Sequence, residues 1–213
     1  MKYHIIPVTA FCQNCSLVWC EQTREAVLVD PGGDSLRLRQ EVALRGVTIR
    51  QIWLTHGHLD HVGAAKKLAT LYHVPIIGPH CKDKLLLAGL PRQCQMFGVK
   101  HIPPFIPDQW LTDGDTVNVG TLLFNILHCP GHSPGHVVFL NKANKFILMG
   151  DVLFNGSIGR TDLLGGDLST LMQSIYNKII LLADDITFLP GHGPLSTIGH
   201  ERRTNPFLKQ LNV

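Results

Sequence analysis

The chain has 213 residues, of which 45% are apolar and 16% charged, with a formal net charge of +3. That length suits one domain, here 1–213, burying roughly 70% of its unfolded-chain surface, and the composition excludes intrinsic disorder. No apolar run approaches the roughly 18 residues of a membrane span, and the charge balance falls short of that of a nucleic-acid binder. In chain order, short β-branched runs closed by Gly, Pro or Asp predict strands at 5–8, 16–20, 26–29, 51–54, 75–77, 122–127, 137–140, 146–149 and 186–189. Helices are expected at 35–45, with Asp34 as N-cap, at 61–73, and at 171–182, capped by Asp167 or Ser169. Residues 103–107 read as loop. Strands mixed with helices imply an α/β layered architecture with helices covering sheet faces, without revealing the strand order.

The first twenty residues carry one early Lys, are broken by Pro7, Gln13 and Asn14, and lack a small-x-small cleavage site, so a mature cytoplasmic chain is expected. In that compartment the six cysteines are thiols. Cys12 and Cys15 form a C-x-x-C, but no second ligand pair lies nearby, and both read as small strand positions. Trp19, Trp53 and Trp110 read as core or pocket wall, and Lys66-Lys67 as a solvated helix face.

Twelve histidines against 16 carboxylates is the unusual entry in the composition. The strand at 51–54 runs into Thr55-His56-Gly57-His58-Leu59-Asp60-His61, four potential ligands within six residues. Alternate residues of an extended segment point the same way, so His56 and His58 can converge on one ion, and the turn into a helix swings Asp60 and His61 toward a neighbouring position. Gly57 permits close backbone approach. Three further strands deliver a ligand in the same manner. The strand at 122–127 leads to His128-Cys129-Pro130-Gly131-His132-Ser133-Pro134-Gly135-His136, that at 146–149 to Gly150-Asp151, and that at 186–189 to Pro190-Gly191-His192-Gly193-Pro194. Loops over a rigid sheet are where such sites are commonly built. His4, His73, His80, His101 and His200 have no partner motif. His128 and His136 flank His132 closely enough to support the site or line its pocket.

The H-x-H-x-D-H segment, then His132, Asp151 and His192 in that order, closely resembles the metallo-β-lactamase superfamily over essentially the whole chain. Asp30-Pro31-Gly32-Gly33 resembles the family's early turn, and Gly159-Arg160-Thr161-Asp162 the segment after its bridging aspartate. The resemblance implies a four-layer αββα sandwich with mixed sheets and metals between the loops at one edge. Together with the Glu201-Arg202-Arg203-Thr204-Asn205-Pro206-Phe207 tail, these segments are most similar to single-domain bacterial type II glyoxalases, the hydroxyacylglutathione hydrolases. Carried over by position, His56, His58 and His132 hold one metal, Asp60, His61 and His192 the other, and Asp151 bridges them. Arg160 takes the place of a basic residue that contacts glutathione. Two departures stand out. The C-terminal helical domain of two-domain members is expected to be absent, since the chain ends about twenty residues after His192, and Asp162 stands where those members place an aromatic residue.

Five histidines and two carboxylates without a thiolate suit zinc, and also iron or manganese. Seven ligands imply two divalent ions. A water between them would lose its proton near neutral pH, and the hydroxide would attack a thioester carbonyl polarised by the metal on His56, His58 and His132. Asp60 is assigned the catalytic role of orienting that hydroxide. The leaving thiolate, with a pKa near 8.5, needs little acid assistance. The expected reaction is hydrolysis of S-2-hydroxyacylglutathione, such as S-lactoylglutathione, a small anionic partner. The chain is expected to act as a monomer or small homo-oligomer. Rival readings are a persulfide dioxygenase with one iron on His56, His132 and Asp151, a lactone, ester or β-lactam hydrolase, and an RNA-cleaving relative, which would need basic phosphate contacts this chain lacks.

Overall fold

The strands Glu25–Val29, Val137–Asn141 and Phe146–Gly150 are buried on both faces almost throughout, and the structure shows why: three separate cores are stacked through the molecule. The computed structural model describes residues 1–209. The first sheet holds β1 (Lys2–Val8), β2 (Gln13–Trp19), β3 (Glu25–Val29), β4 (Thr48–Trp53) and β5 (Ile76–Ile77) in that spatial order. Its first two pairings are antiparallel and its last two parallel. In the second sheet, β6 (Thr116–Val119), β7 (Leu122–His128), β8 (Val137–Asn141) and β9 (Phe146–Gly150) form a meander. The short hairpin β10 (Leu153–Phe154) and β11 (Ser157–Ile158) follows β9. β12 (Thr187–Pro190) then joins β9 in parallel, with β13 (Ser196–Thr197) on its outer edge.

Alternation along each strand sorts the side chains into the three cores. Ala26 and Leu28 face an outer core with Leu38, Val42 and Leu68, whereas Val27 and Val29 face the interior between the sheets. On the second sheet Val137, Phe139 and Leu148 meet them, while Val138, Leu140 and Ile147 turn outward onto Leu171, Ile175 and Ile198. The order is therefore helix, sheet, sheet, helix, a four-layer αββα sandwich with mixed sheets, and double-sided burial accounts for the continuous hydrophobic runs. Trp53 is the keystone of the middle layer, stacked on Phe139 at 5.0 Å and edge-on to Phe124 at 5.0 Å. A buried aromatic of this size is worth about 3–5 kcal/mol over alanine. It also anchors the end of β4, two residues before the histidine-rich loop.

Strand direction gathers the loops. β9 and β12 are parallel, and β7 runs with them because two antiparallel pairings separate it from β9. The carboxyl ends of β7, β9 and β12 thus open at one edge. Asn14 N–H donates to Gly191 O at 2.7 Å and Val137 N–H to Thr55 O at 2.8 Å, so the two sheets are fastened together at that edge.

Helix expectations need several corrections. Ser35–Arg45 forms α1, but Asp34 does not cap it through its side chain; the residue is left-handed (φ 45°), and its carboxylate accepts from Thr9 N at 2.7 Å. The helix expected at 61–73 is two, α2 (Leu59–Val62) and α3 (Ala65–Tyr72), broken where Gly63 lies against the Gly32 carbonyl. Two helices not anticipated, α4 (Lys84–Ala88) and α5 (Leu90–Phe97), follow a single 3₁₀ turn at Cys81–Asp83. The helix expected at 171–182 starts earlier, as α6 (Leu168–Ser174), and continues as a π turn over Ile175–Ile179. Asp167 caps it, accepting from Thr170 N at 2.7 Å. The tail forms α7 (Ile198–Thr204) and α8 (Pro206–Lys209). Cys12 precedes β2 with φ 51°, while Cys15 is buried within it, so only the second fits its expected strand position. No described helix is long and apolar enough to cross a membrane.

Candidate metal centre and substrate pocket

All seven side chains singled out as ligands come together at the gathered edge. His56, His58 and His132 place one nitrogen each within 4.8 Å of one another, and Asp60, His61 and His192 do the same with their ligand atoms. His132 Nε2 lies 2.9 Å from His58 Nδ1 and 3.2 Å from His56 Nε2. His192 Nε2 lies 3.2 Å from Asp60 Oδ2. Asp151 stands between the groups, with one oxygen 3.5 Å from His61 Nε2 and the other 3.5 Å from His132 Nε2 and 3.7 Å from His192 Nε2.

The two groups differ electrostatically. Burial pushes His56 and His132 down and takes His58 to about 3, which keeps the first triad in the neutral, ligand form. Burial would also lower His61, but the carboxylates of Asp151, Asp60 and Asp30 outweigh it and raise the imidazole. The Asp151 carboxyl would rise on burial alone; His61, His132 and His192 instead hold it well below the usual carboxylate range.

A metal-binding histidine normally has its second nitrogen engaged, which fixes the ring and bares the other lone pair. His132 Nδ1 donates to Arg160 O at 2.7 Å, His61 Nδ1 to Asp30 Oδ2 at 2.9 Å and His192 Nδ1 to Phe11 O at 3.2 Å. His56 Nδ1 donates to Thr55 Oγ1 at 2.9 Å, whose hydroxyl is spent on Asp30 Oδ2 at 2.6 Å. Four bare Nε2 atoms therefore converge. Buried His61 Nε2 and Asp151 Oδ1 have no hydrogen-bond partner among the described residues. Lone pairs facing one another in a buried site need a cation to be stable, so the donor set fits divalent metal. His58 alone of the five has no such clamp, its buried Nε2 being without a partner.

Three supporting residues carry the arrangement. Asp30, at the end of β3 with φ 49°, also accepts from Thr55 N at 2.7 Å. Asp30 also comes within ligand range of His56 and His61, but its Oδ2 is already taken by Thr55 and His61, so it belongs to the scaffold. Asp83 accepts from Gly57 N at 2.8 Å, Ser133 Oγ at 2.8 Å and Gly135 N at 2.6 Å, tying the two histidine loops together. Burial raises its carboxyl to about 6. His136 Nε2 accepts from Asp151 N at 2.9 Å, whereas His128 stacks on His80 and donates to Pro134 O, away from the ligands. Asp30 had one sequence signal, its place before Pro31-Gly32-Gly33; Asp83 had none.

Gly191 lies where a Cβ would sit 2.1 Å from Asp151 Oδ1 and 2.7 Å from His61 Cε1. Gly191→Ala is expected to displace those ligands and cut metal affinity about 10–100-fold, the range seen when a ligand's support is lost, while circular dichroism stays native. Native affinity by metal titration would refute it.

Five of the seven ligand side chains, His58, Asp60, His132, Asp151 and His192, floor a cavity of about 610 Å³. Its walls are largely apolar, with Phe11, Leu86, Phe97, Phe154 and Ile158 among them, and it also receives Arg92, Arg160 and Asp162. Arg160 does reach this cavity, but its guanidinium is held by Asp162 in a two-pronged ion pair, 2.7 Å at each contact.

With fold and site in hand, the class is defined: residues 8–192 match the metallo-β-lactamase superfamily model, and the chain belongs to that superfamily. It is 48% identical over 209 residues to a protein named hydroxyacylglutathione hydrolase GloC from Haemophilus influenzae, covering 98% of each chain. Among solved structures it resembles the BLEG-1 B3 metallo-β-lactamase, with TM-score 0.90, 37% identity and coverage of 98% of this chain and 100% of that one. It is also similar to TTHA1623 in a di-iron-bound form, with TM-score 0.88, 36% identity and coverage of 96% and 100%.

Proposed function

We propose that the chain is a single-domain, metal-dependent hydrolase of S-2-hydroxyacylglutathione thioesters, with two divalent ions on His56, His58, Asp60, His61, His132, Asp151 and His192. The observation that carries this reading is the pair of ligand triads sharing Asp151 at the floor of a largely apolar pocket. A relative named for this activity supports it. Mononuclear iron on His56, His132 and Asp151 would leave Asp60, His61 and His192 idle, and their convergence within 4.8 Å favours two ions. Zinc suits the nitrogen-rich donors; a di-iron neighbour keeps iron as the competing metal.

Divalent metal held here supplies Lewis acidity and lowers the pKa of a bound water. The protein's part is positional. The fixed rings of His56, His61, His132 and His192 keep the ligand set rigid, so little reorganisation is needed when charge develops on the carbonyl oxygen. Asp60, beside His192 and on the pocket wall, is placed to accept a hydrogen bond from the attacking water and orient it.

With metals fully loaded, wild type is expected to release thiol from S-lactoylglutathione. Chelation should abolish that release and added zinc restore it, with His58→Ala at background throughout. Wild-type release no faster than His58→Ala would sink the reading.

A further inference from the structure

Resting on the thioester-hydrolase reading, we propose that Arg92 anchors the anionic end of the substrate, and that the apolar shelf beside it, from α4 and α5, selects substrates bearing an extended apolar arm. The resemblance pointed to Arg160 as the anion contact, yet both prongs of that guanidinium are taken by Asp162. A substrate carboxylate arriving there meets a pair of zero net charge and a like-charged neighbour. Arg92 lines the same cavity, is exposed, and forms no ion pair with Asp or Glu among the described residues.

Its position is set by its neighbour. Gln93 Oε1 accepts from Leu59 N at 3.0 Å, and its amide donates to Leu86 O at 2.9 Å and Gly57 O at 3.3 Å. Those bonds lock the start of α5 to the loop carrying His56 and His58, so Arg92 is held at a fixed offset from the metal centre. Met96, four residues on, shares the face of Arg92, and Phe97 packs edge-on against Phe11 at 5.8 Å. Leu85 and Met96 line the cavity while 77% and 65% exposed, and Leu164, on the segment after Asp162, is 73% exposed. The single methyl of a lactoyl group covers little of this surface. A substrate that pairs with Arg92 and lays an apolar arm on the shelf accounts for both the free cation and the uncovered wall.

The test uses S-methylglutathione and S-hexylglutathione, thioethers that bind without being hydrolysed, titrated calorimetrically into the metal-loaded protein. Full burial gains about fourfold in affinity per methylene, so an arm half covered by the shelf should bind about 30-fold tighter as the hexyl than as the methyl compound. Arg92→Met is expected to weaken both about 10-fold and Arg92→Lys less than threefold, as a charge-assisted contact at a partly wet site would. Leu85→Ser with Met96→Ser should bring the hexyl-to-methyl affinity ratio down to within about twofold. Equal affinity for the two thioethers, or unchanged binding by Arg92→Met, would overturn the proposal. If the predicted binding pattern appears but no thioester is cleaved, the hydrolase reading fails and the anchor stands. If S-lactoylglutathione is cleaved and binding ignores Arg92 and chain length, only the anchor fails.

Discussion

Asp151→Asn is expected to lower kcat/KM for thioester hydrolysis about 10³-fold and to reduce bound metal from two equivalents toward one. Asp151 is the residue shared by both ligand groups, with one oxygen toward His61 and the other toward His132 and His192. An amide offers one poorer oxygen donor and turns two N–H bonds toward imidazole nitrogens already bare for ligation. Removing a single transition-state stabilising group costs about 10²–10³-fold, and a residue serving two sites belongs at the upper end. Backbone geometry should survive, because the Asp151 N–H bond to His136 does not involve the side chain. Metal analysis beside steady-state kinetics checks both parts. Two retained equivalents with activity within tenfold of wild type would rule out the bridging role.

Asp30→Asn is expected to cost about 2–4 kcal/mol in denaturant unfolding of the metal-free protein and about 10²-fold in kcat/KM. The buried carboxylate accepts three hydrogen bonds, from Thr55 N, Thr55 Oγ1 and His61 Nδ1. Bonds to a charged group are worth about 1.5–3 kcal/mol each, and an orphaned donor costs more than the lost bond. Asparagine can face Thr55 N with its oxygen only by presenting its NH₂ to the hydroxyl and to His61. The imidazole then takes its proton on Nε2, and that proton occupies the lone pair aimed at the metal. Because Thr55 Oγ1 also receives His56 Nδ1–H, one substitution disturbs a ring in each triad. Zinc titration should therefore show weaker binding at both sites. Unchanged zinc affinity with lowered stability would confine Asp30 to a structural role.

The contrast between these two residues tells how the site was encoded. Asp151 was legible because it closes an apolar strand with Gly150, and because three other strands deliver ligands in the same way. Four of the seven ligands lie within six consecutive residues, where local backbone geometry alone brings them close. The central strands β3, β8 and β9 were legible too, since burial on both faces demands continuous apolar runs. Helices were less so. The α4 and α5 segment divides at Gly89 into helices of 5 and 8 residues, too short to sustain a helical period, and Gly63 breaks a helical pattern because of a backbone carbonyl 31 residues earlier in the chain.

The chain's own pattern thus determined an α/β layered class and the candidate ligands at strand ends, both consequences of short-range periodicity, whereas the four-layer order, the grouping of the ligands into a metal centre and its place at one edge came only as what the family resemblance implied. Only tertiary structure decided what holds and surrounds that centre. Asp30 reaches Thr55 and His61 across 25 and 31 residues, and Asp83 reaches Ser133 and Gly135 across 50 and 52. A lone carboxylate in either place looks like any turn aspartate until long-range closure brings donors to it. The same holds for charge in the pocket. Arg160 stood in the position the resemblance implied, but the two-residue reach of Asp162 takes its guanidinium, and the packing of Gln93 beneath the H-x-H loop holds Arg92, without an ion pair among the described residues, on the wall of the same cavity.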